Sequence, residues 1–216
     1  MLAGLLACAG ALAQSTGEPR RSGYDTMSPR IQAMQRDDQQ NPGMLWVADG
    51  EVLWKKVFGI FSCAHCHGDA TRSMRGVAAR YPDWDKIGGK PVDLSQRINL
   101  CRTRHQRVPP LPPESAEMIG LETYVAHQSR GMPLTTGTAR ELEAPRERGR
   151  RLYEQRIGQL NLSCALCHDG LPGRVLGGAT IPQGHVNGYP TYRLEWQGMG
   201  SLQRRIRNCL SGVRAE

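Results

Sequence analysis

Two copies of one five-residue pattern, Cys63-Ala64-His65-Cys66-His67 and Cys164-Ala165-Leu166-Cys167-His168, constrain this chain more than any other feature. Both read C-x-x-C-H, the attachment sequence for c-type haem, and the residue frequencies of the chain give about 0.006 such matches by chance. The chemistry requires this grouping. Two thiols on one helical turn add to the two vinyl groups of the macrocycle, and the adjacent imidazole then reaches the iron from the same side. A structural zinc site would need a second Cys/His pair near each motif, and a thioredoxin-like dithiol has no use for the trailing histidine. Two covalently bound haem c groups are therefore expected, attached through Cys63 and Cys66 and through Cys164 and Cys167. His67 and His168 are the iron ligands on the attachment side.

Composition supports this. Only 39% of the 216 residues are apolar, with two Phe, four Trp and six Tyr, which is thin filling for two cores built from side chains alone. A large apolar macrocycle in each half would supply what the side chains lack. No run of 18 or more apolar residues occurs, so no membrane-spanning helix is expected. Net charge is +8, mostly from Arg, which suits an anionic substrate, partner or surface. Nucleic acid is not the expected partner, because no RNA-binding signature, zinc-finger spacing or helix-turn-helix pattern accompanies the arginines.

The uncharged stretch Met1 to Ala13 ends in Ala11-Leu12-Ala13, a small-x-small pattern suited to signal peptidase, and reads as a signal peptide remnant. Export to the periplasm is expected, with Cys8 discarded with the leader. Residues 14–44 are polar and broken by Pro and Gly, and read as an extended N-terminal arm that wraps a surface.

The two motifs lie about 100 residues apart, the size of one small cytochrome domain, and the repeat extends beyond them. A helical segment precedes each motif, Glu51 to Phe58 and Glu147 to Glu154. Downstream, Arg97-Ile98-Asn99-Leu100-Cys101 matches Arg205-Ile206-Arg207-Asn208-Cys209, each opening after a serine, Ser95 or Ser201, able to cap a helix. A helix over about Glu114 to Ser129, with Met118, Leu121 and Val125 at helical spacing, continues the first half. Cysteines recurring at equivalent places suggest thiolate ligation of each iron, by Cys101 and by Cys209. A Cys101–Cys209 disulfide is the alternative in an oxidising compartment. Competing ligands are His105 for the first haem and His185 or Met199 for the second, although loop positions suit the histidines and turn packing suits the methionine. If residues 202–210 are helical, Arg205 lies one turn before Cys209 on the same face. There its guanidinium would lower the thiol pKa and grip an oxyanion in forked fashion. Arg204 and Arg207 read as a solvated basic face.

These residues resemble the SoxA family, the dihaem subunits of the SoxAX cytochromes of thiosulfate-oxidising bacteria. The resemblance runs nearly end to end: Ser22-Gly23-Tyr24 through Met27-Ser28-Pro29, Gln32-Ala33-Met34-Gln35, Asn41-Pro42-Gly43-Met44-Leu45-Trp46-Val47 and both haem motifs. It continues through Gln96-Arg97-Ile98-Asn99, Cys101-Arg102-Thr103, Tyr124-Val125-Ala126-His127-Gln128-Ser129-Arg130-Gly131-Met132 and the Cys209 segment. It implies an L-cysteine S-thiosulfotransferase that oxidatively joins thiosulfate to a cysteine of the carrier SoxYZ, paired with the monohaem cytochrome SoxX and passing electrons to cytochrome c. By similarity Cys101 and Cys209 are axial ligands, Cys209 carries a persulfide and is the active centre, and Arg205 binds substrate. Where relatives commonly read S-P-E-T-Q, this chain has Ser28-Pro29-Arg30-Ile31-Gln32.

The expected fold is all-α, with two tandem cytochrome c-like domains over 45–138 and 139–216. The second is expected to be truncated at its C-terminus, since few residues follow Cys209. The rival functions are a dihaem electron carrier without catalysis of its own, and a dihaem peroxidase, which would need an open distal site.

Overall fold

The computed structural model describes residues 20–215. The expectations for Met1 to Ala13 and for Cys8 lie outside the described residues.

The segment after Arg20 is not extended throughout. A 3-10 turn at Gly23–Thr26 leads into α1 (Pro29–Arg36), where Ser28 caps the helix and Pro29 occupies its first turn. Ser-Pro is a helix start in which the missing proline N–H costs nothing, and that local signal overrides the breaking effect of the neighbouring Gly and Pro. The arm touches both halves: Asp38 pairs with Arg130 at 2.5 Å, and the Arg21 N–H donates to the Gln183 side chain at 2.8 Å.

The first half is built on α2 (Gly43–Lys55), α3 (Cys63–His67), α4 (Ala70–Ser73), the hairpin β1 (Asp83–Asp85) and β2 (Lys90–Val92), α5 (Leu94–Cys101), a π-helical turn at Arg102–Gln106, and α6 (Ala116–His127). The α6 expectation holds, and Met118, Leu121 and Val125 are all buried. At α5 the cap is Asp93 rather than Ser95. The Asp93 carboxylate accepts from the Gln96 N–H while the Gln96 side chain accepts from the Asp93 N–H, a reciprocal box that places Ser95 inside the helix. Helices α2 and α6 cross backbone to backbone at Gly50, where a Cβ would collide with the Gly120 carbonyl and the Tyr124 side chain. That crossing seats a cluster of Trp54, Ala70, Met74, Leu94, Tyr124 and Val125, with Cys63 and Ala64 packed against it. The Trp54 indole N–H donates to the Gly68 carbonyl at 3.0 Å, and its ring lies 5.7 Å from His67. The core of the first half thus extends directly to its cysteine motif.

The second half comprises α7 (Glu143–Glu154), α8 (Cys164–His168), the hairpins β3 (Val175–Leu176) with β4 (Ala179–Thr180) and β5 (Thr191–Arg193) with β6 (Gly198–Gly200), and α9 (Leu202–Gly212). Ser201 caps α9 as expected, accepting from the Arg204 N–H at 3.2 Å. Its packing differs, since none of α7, α8 and α9 has a buried residue, and Leu152, Leu160, Leu171, Val175, Leu176 and Ile206 are exposed. The β5–β6 hairpin is instead seated on the first half: Tyr192 packs edge-on against Trp46 at 5.9 Å, and Met199 is buried beside Gly43.

The molecule is therefore mostly helical but not purely so, with three two-stranded antiparallel ladders among the described residues. Two of them lead into α5 and α9, so each helix carrying the late cysteine is aimed by the hairpin before it. No helix among the described residues is long and apolar enough to cross a membrane.

Candidate haem and sulfur site

Both motifs fold as a single helical turn capped by a serine. The Ser62 hydroxyl accepts from the His65 N–H at 3.0 Å, and the Ser163 hydroxyl from the Leu166 N–H at 3.3 Å. On such a turn residues three apart share a face, which places Cys63 beside Cys66 and Cys164 beside Cys167. The six described cysteines are all free thiols, so the alternative Cys101–Cys209 disulfide is absent among the described residues.

The late cysteines stand in separate places. Cys101, at the end of α5, lies close enough to Cys63 and Cys66 to interact with both electrostatically, and burial pushes its thiol up against the opposing pull of Arg97 and Arg104. The π-helical turn adds Gln106, whose side-chain amide donates to the Phe61 carbonyl at 3.0 Å and lies 3.9 Å from the Cys63 sulfur. In the second half Cys209 hydrogen-bonds His168, which holds its thiol below the ordinary range, with Arg205 adding a smaller push the same way. The same contact raises His168. His168 Nδ1 lies 2.8 Å from the Pro182 carbonyl, which must accept, so Nδ1 carries the proton and Nε2 is left for the sulfur side.

This donor set fits haem c. Each half offers two thiols on one turn and an imidazole next to them, and a further thiol stands near each motif. Val57 and Ile60 in the first half, and Leu160, Leu171 and Ile206 in the second, are exposed apolar side chains. A bare metal ion fits poorly, because no group of three or more His, Cys, Asp or Glu among the described residues is placed to hold one.

Of the competing ligands, His185 lines a cavity together with His168. His105 is exposed on the π-helical turn, His185 is exposed and pairs with Gln183 at 3.1 Å, and Met199 is buried against α2. Met199 fills a strand position rather than a turn. Arg204 also departs from expectation: its guanidinium lies over the Trp196 ring at 4.5 Å, while Arg207 is exposed as a solvated position should be. Arg205 is half-buried, faces Cys209, His168 and Tyr189 electrostatically, and forms no side-chain hydrogen bond or ion pair among the described residues. A cavity of about 320 Å3 lies beside His168, and Tyr153 and Asp169 on its wall are joined by a 2.7 Å hydrogen bond.

Sequence reasoning missed Asp85, Arg104, Gln106, Trp196 and Tyr189. A signal for the hairpin residues exists in the spacing: Tyr81-Pro82 precedes Cys101 by the same interval as Tyr189-Pro190 precedes Cys209, which extends the repeat through both hairpins.

Residues 49–134 match the family model of the SoxA/TsdA cytochrome c domain, a span that includes Cys63, Cys66, His67 and Cys101 and implies haem c. The chain is 37% identical over 198 residues to the L-cysteine S-thiosulfotransferase subunit SoxA of Pseudaminobacter salicylatoxidans, covering 90% of this chain and 69% of that one. It is 33% identical to the subunit of the same name from Rhodovulum sulfidophilum, covering 90% and 68%. Its fold is similar to a chain in the crystal structure of SoxXA from P. pantotrophus, with a TM-score of 0.86 and 33% identity over 91% of this chain and 75% of that one. A mostly helical, cytochrome c-like chain with this site and these relatives belongs to the SoxA family of L-cysteine S-thiosulfotransferase subunits.

Proposed function

We propose that the chain is a periplasmic dihaem c-type cytochrome that oxidatively conjugates thiosulfate to a cysteine of a SoxYZ carrier, working with a SoxX monohaem partner. The tandem domains, 45–138 and 139–216, would each hold one haem: Cys63, Cys66, His67 and Cys101 the first, and Cys164, Cys167, His168 and Cys209 the second. When bound, haem c supplies a one-electron acceptor beside the sulfur chemistry.

The observation that carries this reading is Arg205, a guanidinium with no side-chain partner among the described residues, one turn from a thiol held low by its neighbours. A free fork at that place matches two sulfonate oxygens of thiosulfate. Its charge offsets the repulsion that a dianion would meet at a thiolate. Cys209 presents sulfur at the exposed side of α9, accessible to a carrier cysteine. The Pro182 carbonyl keeps the His168 ring turned toward that sulfur. The overall step joins the carrier thiol sulfur to the outer sulfur of thiosulfate, releasing one proton and two electrons that pass on to an acceptor cytochrome c.

Replacing Cys209 with Met tests this against a carrier without catalysis. The expected result is a variant that retains both haems and exchanges electrons while losing thiosulfate-dependent conjugation, followed by intact mass of the carrier. Conjugation at the wild-type rate would refute the catalytic reading. Intact mass of the chain itself counts haems and reveals any extra sulfur on Cys209.

A further inference from the structure

The two halves present the same helix to their late cysteine but treat its arginine in opposite ways. Arg97 stands to Cys101 as Arg205 stands to Cys209, one turn earlier on α5 and α9. In the first half that arginine is engaged. Its Nη1 donates to Asp85 Oδ1 at 3.1 Å, and it also hydrogen-bonds the Tyr81 hydroxyl. Asp85 is 2% exposed and accepts three further bonds, from Arg104 Nη1 at 2.9 Å, from Arg104 Nη2 at 2.6 Å and from the Gly88 N–H at 2.8 Å. These guanidiniums hold its carboxyl well below the usual carboxylate range. Both cations near Cys101 are thereby turned onto one buried acid.

In the second half the register-equivalent residue is a cation. Asp85 ends β1 opposite Lys90, and Arg193 ends β5 opposite Gly198, at the same distance in sequence from the late cysteine. Arg193 takes up the nearest acid, donating to both oxygens of Glu195 at 2.8 and 3.1 Å. Glu195 is near enough to feel Arg205 but is occupied by Arg193, and Tyr189 stands where Tyr81 stands without being hydrogen-bonded by Arg205. At the position matching Arg104 the second half has Gly212.

We propose that Asp85 is a positioning residue that closes the first site to small sulfur oxyanions, and that Arg193, in its place at the end of β5, keeps Arg205 open to them. A carboxylate already bidentate to one guanidinium and bonded to another offers an anion nothing to displace without leaving a buried charge unpaired. An uncommitted guanidinium needs no such exchange. The selectivity of the molecule for one reaction site then resides in the charge at one strand end. This inference rests on Arg205 as the anion contact of the proposed function.

The test uses the full dihaem protein with its partner, in two variants, Asp85→Asn and Arg193→Asp. Each is titrated with thiosulfate and with sulfate as an unreactive analogue, followed through the separate low-spin ferric paramagnetic signals of the two haems. In the wild type only the signal altered by Cys209→Met responds to anion. Asp85→Asn should make the other signal respond, with half-saturation about tenfold or more below any wild-type response there. Arg193→Asp should draw Arg205 into an internal pair and weaken second-site binding about tenfold, leaving the first signal unmoved. A folded, fully haem-loaded Asp85→Asn protein with no new response would overturn the proposal, as would Arg193→Asp binding anion like the wild type. If Asp85→Asn does not fold, Arg193→Asp decides. A wild type silent at both signals would refute Arg205 as the anion contact. In that event a first-site response gained in Asp85→Asn would still support closure by Asp85, and its absence would end both ideas.

Discussion

Glu122 sits on α6 among buried neighbours, with one carboxylate oxygen removed from solvent and lacking a hydrogen-bond partner among the described residues. It lines a cleft of about 870 Å3 between the arm, the first half and the second. Burial pushes its carboxyl up from 4.5 to about 8, with Asp93 and Glu114 adding to the rise. The folded state therefore keeps a proton that the unfolded chain gives up. Below the unfolded value the two states are protonated alike; from there to about pH 8 the unfolded chain ionises first, so stability falls as pH rises and then levels off. Thermal melts across that window should show this slope, and Glu122→Gln should flatten it and raise the melting temperature at the alkaline end. An unchanged slope would show the carboxyl to be solvated. Nothing in the sequence marks Glu122, because a lone acid on an amphipathic helix is ordinarily exposed. The cysteines and histidines of the two motifs were legible because their spacing is itself the chemistry.

At the scale of elements, the close approach of α2 and α6 is the joint on which the first site depends. Gly50→Ala introduces a methyl group where the Gly120 carbonyl already lies, and should cost about 1–3 kcal/mol through backbone displacement. Denaturant midpoints would measure this, and loss of the Trp54 contact with His67 should accompany it. A midpoint equal to the wild type would mean that the two helices can part freely. Periodicity revealed α6 and its buried face, and the repeat revealed α9 and its serine cap. The hairpins escaped notice because their strands are two or three residues long and carry Asp, Pro, Lys or Gly in place of an alternating apolar pattern. The helix α1 escaped for a different reason: its Ser-Pro start was legible, but its lack of any buried residue removes the periodic signal that would confirm it.

Across the whole molecule the halves differ in what holds them together. The first has an apolar core of its own side chains, whereas α7, α8 and α9 of the second bury none, so the second should depend more strongly on haem attachment. Limited proteolysis of a Cys164→Ala, Cys167→Ala protein should show cleavage confined to residues beyond about 139. The matching Cys63→Ala, Cys66→Ala protein should lose less resistance, and any loosening of its first half would reach the second through the hairpin that rests on Trp46 and Gly43. Equal sensitivity in the two variants would contradict this asymmetry.

That seating of β5 and β6 on α2 gives the chain an order of assembly. The amino-terminal module emerges first, can consolidate around its own tryptophan and tyrosine, and then serves as the bench on which the later module is finished. Assembly has a direction, and the carboxy-terminal half is completed last.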